Sequence, residues 1–158
     1  MSMITSSSAL WKRGIIGAAA ILGIVLISAT ARSNAVNTNV FVDRTLPKDF
    51  DAPIQVRGVI QKACLDCHSE QTIWPWYSKV PPISWQIQDD VEKGREFMNF
   101  SHWNEYSAED RRAFAAEIAH ATGTHLMPPP KYLWLHPDAR LSNADLEVLA
   151  EWARHQAK

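Results

Sequence analysis

Apolar residues return at helical spacing in four separate stretches of this chain. Val56, Val59, Ile60 and Ala63 stand at i, i+3, i+4 and i+7 after Pro53, which predicts an amphipathic helix. Ile83, Ile87 and Val91 predict a second helix from about Ser84, with Gly94 near its end. Phe114, Ile118 and Ala121 mark the inner face of a third, Ala108 to about Ala121. Ser107 starts it, with Glu109 and Asp110 favourably placed in the first turn, and Gly123 is expected to end it. Leu146, Leu149, Ala150 and Ala153 give the inward stripe of a C-terminal helix opening at Ser142-Asn143-Ala144-Asp145. No stretch alternates as a strand would, and no internal repeat is visible. The predicted fold class is all-α.

The connections are unusual. "TIWPWYSKVPPIS" carries three prolines, and "THLMPPPKYLWLHPDAR" is a second proline-rich loop. Helices joined by such long irregular segments need something for those segments to pack on.

The N-terminus is different again. Residues 14–31, "GIIGAAAILGIVLISATA", are uncharged and follow Trp11-Lys12-Arg13. Basic residues before an apolar stretch stay on the cytoplasmic side, so the rest of the chain is expected to be exported. Residues 1–35 are then either a signal peptide, with small residues at Ala29/Ala31 or Ser33/Ala35 for cleavage, or an N-terminal membrane anchor. As a helix the stretch would reach about 27 Å, just enough to span. Residues 36–52 lack periodicity and are expected to form a polar linker, leaving residues 53–158 as the functional domain. Past Ala35 the chain holds 13 Lys/Arg against 17 Asp/Glu, with no basic stripe, so nucleic acid is not an expected partner. Six of the seven tryptophans lie there too, either lining a flat ligand or filling a core.

The two cysteines, Cys64 and Cys67, stand three apart with His68 directly after. Zinc would want a second Cys or His pair, and no second Cys pair exists. A redox dithiol belongs on a strand–helix unit, and no strand is predicted; a structural disulfide remains open in an exported chain. Covalent haem uses all three residues. Each thiol adds to one vinyl group from a single helical turn, and the adjacent imidazole faces the iron. Attachment outside the cytoplasm agrees with the export segment. One haem c is therefore the expected cofactor, with His68 as a metal ligand.

For the opposite face of the iron the candidates are Met98, Met127, His102, His120, His125 and His136. Met127 stands out because Pro128-Pro129-Pro130 follow it, and three prolines stiffen the backbone that would present the thioether. His125 is its main rival, and a loop methionine filling a core gap is the plain alternative. Helix, CxxCH, Met-Pro loop and C-terminal helix follow in the order of a small cytochrome c-like haem domain.

Three separated motifs extend the comparison. "CLDCHSEQTIWPWYS", "DVEKGREFMNFSHW" and "MPPPKYLWLHPDARL" occur in order across roughly residues 53–154. Together they resemble the haem-binding domain family of bacterial exported mono-haem c-type cytochromes. The resemblance implies a mostly helical domain, attachment at Cys64 and Cys67, His68 as proximal ligand, and by position Met127 as distal ligand. Trp74, Trp76, Tyr77 and Trp85, soon after the CxxCH, are expected to line the pocket; Tyr132 and Trp134 follow Met127 in the same way. Arg95 could pair with a propionate or be a solvated helix residue, and Asn99 and Ser101 could cap a loop or touch the pocket.

The expected function is electron transfer rather than catalysis, since His/Met ligation leaves the iron no open position. A sensor with a labile Met127 is the alternative, and peroxidase-like chemistry, with His125 as acid/base, a remoter one. Partners would be redox proteins, plus the membrane if the N-terminal segment is retained. The expected location is the periplasmic side of the inner membrane, or the soluble periplasm.

Overall fold

The computed structural model describes residues 12, 15–25, 44–48 and 50–157. The proposed cleavage positions and most of the predicted linker lie outside them. Residues 15–25 are helical, and among the described residues no helix is long and apolar enough to cross a membrane. Beyond residues 15–25 the described helices are α1 (Ile54–Ala63), α2 (Leu65–His68), α3 (Ile83–Phe97), α4 (Ala108–Gly123), α5 (Pro130–Leu133) and α6 (Asn143–Gln156), with 3₁₀ segments at Trp76–Lys79, Phe100–Glu105 and Pro137–Ala139. No strand occurs among the described residues, so the fold is all-α as expected. The chain divides into two compact units, residues 1–39 with 74–89 and residues 40–73 with 90–158.

The second unit holds the main core. α1 buries Val56, Val59 and Ile60, α4 buries Ala115, Ile118 and Thr122, and α6 buries Leu149, Trp152 and Ala153. α6 packs on both α1 and α4. Its start is fixed by a capping box: Ser142 Oγ accepts from the Asp145 N–H, and the Asp145 carboxylate accepts from the Ser142 N–H at 2.7 Å. α4 starts in a similar way, the Ser107 hydroxyl accepting from the Asp110 N–H at 3.0 Å.

An aromatic cluster of Phe50, Phe100, Trp103 and Trp152 closes this core. Phe50 meets Trp103 edge-on at 5.0 Å, and Phe100 stacks on Trp103 at 5.7 Å. Burying each such ring is worth about 1.5–3 kcal/mol. Trp103 and Trp152 thus fill the core rather than line a ligand.

Residues 44–48 and 50–52, expected as part of the polar linker, lie against the core of the second unit. They are packed rather than a free tether, for Leu46 and Phe50 are both in the core. Arg57 is the cause: its guanidinium donates to the carbonyls of Phe50 (2.7 Å), Leu46 (3.1 Å) and Pro47 (3.1 Å). An irregular segment held through its carbonyls carries no helical or strand period to read.

In the first unit, Pro75 leads into one 3₁₀ turn, Trp76–Lys79, where the Ser78 hydroxyl donates to the Pro75 carbonyl at 2.6 Å. Trp74 is buried, while Trp76 and Trp85 are exposed. α3 begins in this unit and ends in the second, running past Gly94 to Phe97.

Candidate functional site

The CxxCH turn is built on the end of α1. Cys64 N–H donates to the Ile60 carbonyl (2.9 Å), and the Cys67 and His68 N–H groups both donate back to the Cys64 carbonyl (3.2 and 3.0 Å). That single turn is α2. Leu65 points into the core, and the Ser69 hydroxyl stops the turn by donating to the Leu65 carbonyl at 2.6 Å while accepting from the Gln71 N–H. α3 presses directly on this backbone at Gly94. A Cβ at Gly94 would fall 2.5 Å from the Cys67 carbonyl oxygen, so only glycine lets the two elements approach this closely.

His68 is held by its far nitrogen. Nδ1 lies 3.1 Å from the Met98 carbonyl. A carbonyl can only accept, so Nδ1 carries the proton and the Nε2 lone pair is left for a metal. Burial holds the imidazole pKa below its ordinary value, against the opposing hydrogen bonds to the Met98 and Gly94 carbonyls. Burial likewise pushes the Cys64 thiol up to about 12 and the Cys67 thiol up to about 11. The Cys64 rise is reinforced by Cys67, and the Cys67 rise by Asp66 and Asp90. Both thiols are free.

Cys64, Cys67 and His68 open onto a cavity of about 440 Å³ that Met127 also lines, together with Phe97 of α3 and Ile118 and Ala121 of α4. This is an ordinary size for a cofactor pocket, roughly 300–1,000 Å³. Met98 lines it too but is buried and supplies the carbonyl that orients His68.

Met127 owes its place to the end of α4. The helix ends at Gly123 as expected; Thr124 caps it, and it is His125 that takes the left-handed conformation, φ 58°. Leu126 N–H then donates to the Ala121 carbonyl at 2.9 Å and His125 N–H to the Thr122 carbonyl at 3.0 Å. This is the Schellman arrangement, with histidine where glycine is usual. Met127 N–H shares the Ala121 carbonyl (3.1 Å), and its side chain is 42% exposed at the cavity rim. His125, the rival ligand, is exposed and is not part of the cavity lining.

Asp66, between the two cysteines, ties the Met-Pro loop down. Its carboxylate accepts from the Tyr132 hydroxyl at 2.6 Å, pairs with Arg44 at 3.0 Å and accepts from the Ile73 N–H at 3.2 Å. One residue before Tyr132, Lys131 pairs with Asp90 of α3 at 2.8 Å.

Arg95 does something neither expectation anticipated. Its guanidinium donates to the Ser69 carbonyl (2.9 Å) and Thr72 Oγ1 (3.0 Å) and pairs with Glu70 (3.3 Å), binding the strand of chain after His68. Asn99 and Ser101 prove to be loop-holding residues. Asn99 Nδ2 donates to Glu70 (2.7 Å) and its Oδ1 caps Ser101 N–H (3.0 Å), while Ser101 Oγ accepts from Glu70 N–H (3.0 Å). The glycine, arginine, asparagine and serine of the second motif therefore all brace the first. Half of these contacts are to backbone groups, which leave no mark in a sequence.

A family model described as "Haem-binding domain" matches residues 21–155. The chain belongs to that family. No curated protein and no solved structure matches it. The residues present fit haem: two thiols, an imidazole with Nε2 left unprotonated and a thioether converge on one largely apolar cavity of this haem-binding domain.

The expected aromatic lining is placed otherwise. Trp74, Trp76, Tyr77 and Trp85 belong to the first unit, and none is among the residues lining the cavity, which all come from the second. Tyr132 and Trp134 do not line it either; Tyr132 stacks on His136 at 4.1 Å and Trp134 is exposed. The walls the sequence reading missed are Phe97, Ile118, Ala121 and Leu126. Phe114, Ile118 and Ala121 share one helical stripe, so the last two could have been suspected.

Proposed function

We propose that this haem-binding domain carries one covalently attached haem c and transfers single electrons. Cys64 and Cys67 would hold the macrocycle, and His68 and Met127 would bind its iron. The observation carrying this is the convergence of those four side chains on one cavity. Bound haem supplies a one-electron iron couple, whose potential a thioether ligand raises. The chain's own part is orientation. The Met98 carbonyl holds His68 with Nε2 left for the iron, and the Ala121 carbonyl holds the backbone of Met127 at the rim of the largely apolar cavity. No residue is assigned a catalytic role. Haem c is attached outside the cytoplasm, so the domain is placed on the periplasmic side of the inner membrane, anchored or released, with redox proteins as partners.

One observation favours a second reading. Met127 is 42% exposed, and a ligand at the rim can leave, which would suit a gas or redox sensor.

The test is the spectrum of the protein co-expressed with haem-maturation machinery. A low-spin ferric form with the weak far-red methionine–iron band, lost in Met127→Ala, supports electron transfer. A high-spin form that binds CO rapidly excludes a saturated iron and supports the sensor. Haem extractable after denaturation of the wild type would refute covalent attachment at Cys64 and Cys67.

A further inference from the structure

The chain from Ile73 to Ile87, "IWPWYSKVPPISWQI", contains no acidic residue and one cation, Lys79. It holds three tryptophans and a tyrosine, yet much of this apolar material is turned outward. Trp76 is 78% exposed, Val80 45%, Ile83 49% and Trp85 47%. Prolines at 75, 81 and 82 fix the backbone around the 3₁₀ turn Trp76–Lys79 and the start of α3, which carry these exposed side chains. A soluble protein rarely displays such a run of large apolar side chains without a use for it.

What would cover it is indicated by its neighbours. Residues 74–89 fall in the same compact unit as the N-terminal helical stretch 15–25, whose isoleucines, Leu22 and Val25 are also exposed. Tryptophan and tyrosine, with an apolar ring and a polar N–H or O–H, favour the boundary between headgroups and acyl chains. A single lysine and no carboxylate suit a bilayer surface carrying anionic lipid, which repels acids. A protein partner recognised by charge would find almost nothing here to pair with.

We infer that residues 76–85 are a second membrane contact. Trp76, Val80, Ile83 and Trp85 insert into the interfacial layer of the bilayer beside the chain's own N-terminal apolar segment. The domain is thereby held against the membrane surface rather than swinging freely on a tether. This does not depend on what the second unit binds.

The full chain, reconstituted in vesicles of zwitterionic and anionic phospholipid doped with a photoactivatable phosphatidylcholine, tests it. After illumination, lipid adducts mapped by mass spectrometry are expected on the peptide spanning residues 74–87. They should fall to background in Trp76→Ser/Trp85→Ser, with the helical circular dichroism of the wild type retained because both residues are exposed. Trp134→Ser, an exposed tryptophan of the other unit, should leave them unchanged. Adducts confined to the N-terminal segment, or equal on the peptide carrying Trp134, would overturn the inference. So would adducts in the double variant at wild-type level. Lipid-independent crosslinks between copies through residues 76–85 would likewise overturn it, assigning the patch to self-association.

Discussion

The Tyr132 hydroxyl donates to the Asp66 carboxylate at 2.6 Å, joining the loop that carries Met127 to the residue between the two cysteines. The two ends of the site, 59 positions apart from His68 to Met127 in the chain, are thus clamped by one hydrogen bond outside the cavity. Neither partner lines the cavity itself, so each acts by holding others.

Tyr132→Phe should therefore destabilise the domain without removing a cavity group. A hydrogen bond to a charged acceptor is worth about 1.5–3 kcal/mol, and Asp66 keeps Arg44 and the Ile73 N–H, so a loss near about 1.5 kcal/mol is expected in urea denaturation. The wild type should also show a pH signature. Burial first, then the bond to Asp66, holds the phenol above its ordinary 10.0. The folded state then keeps a proton that the unfolded state releases, so the contribution is present below pH 10.0 and falls away as pH rises above it. Tyr132→Phe should lack this part of the alkaline slope.

Gly94 and Gly58 make opposite predictions for the same substitution. A Cβ at Gly94 would sit 2.5 Å from a backbone oxygen that cannot move without moving the Cys67 turn. Gly94→Ala should cost about 3 kcal/mol or more and lower the yield of haem-loaded protein. Gly58 is helical with nothing within 4 Å, so Gly58→Ala should raise stability by about 0.5–1 kcal/mol. Denaturation midpoints of the two variants moving in the same direction would contradict this contrast.

Much of the site is legible in the sequence because covalent spacing dictates it. Cys64, Cys67 and His68 must share one turn if they are three apart and adjacent, and the prolines after Met127 mark a stiffened loop. The helices announce themselves through the 3.6-residue period. What is not legible is whatever depends on a backbone partner or on close approach. Arg57 and Arg95 act on carbonyls, Leu46 and Phe50 are buried from an irregular segment, and Gly94 resembles a helix stop until the Cys67 carbonyl is seen against it. Proximity in the chain also misleads. Trp74 to Trp85 follow the CxxCH closely, yet the cavity wall nearest in function comes from α4, some fifty positions later in the chain.

His125 occupies a left-handed position that glycine fills at no steric cost. His125→Gly should stabilise the protein by up to about 1 kcal/mol, the relief of strain being partly offset by glycine's freedom in the unfolded chain. The axial-ligand spectrum should not change, because the imidazole is exposed and outside the cavity. Loss of the low-spin spectrum in this variant would instead make His125 the ligand and displace Met127.

Arg95→Lys tests whether the brace behind His68 depends on shape or on charge. The guanidinium reaches the Ser69 carbonyl through Nε, Thr72 Oγ1 through Nη2 and the Glu70 carboxylate through Nη1. An ammonium keeps the charge but cannot present that fork, so at most one of the three contacts survives well. Glu70 is half-exposed and the ion pair itself contributes little, whereas the Ser69 carbonyl loses a donor in a buried residue. The expected cost is about 1–2 kcal/mol in urea denaturation, with faster hydrogen exchange at the Gln71 N–H, which Ser69 Oγ now accepts. Should Arg95→Lys match the wild type while Arg95→Met is destabilised, charge alone would be what holds this segment.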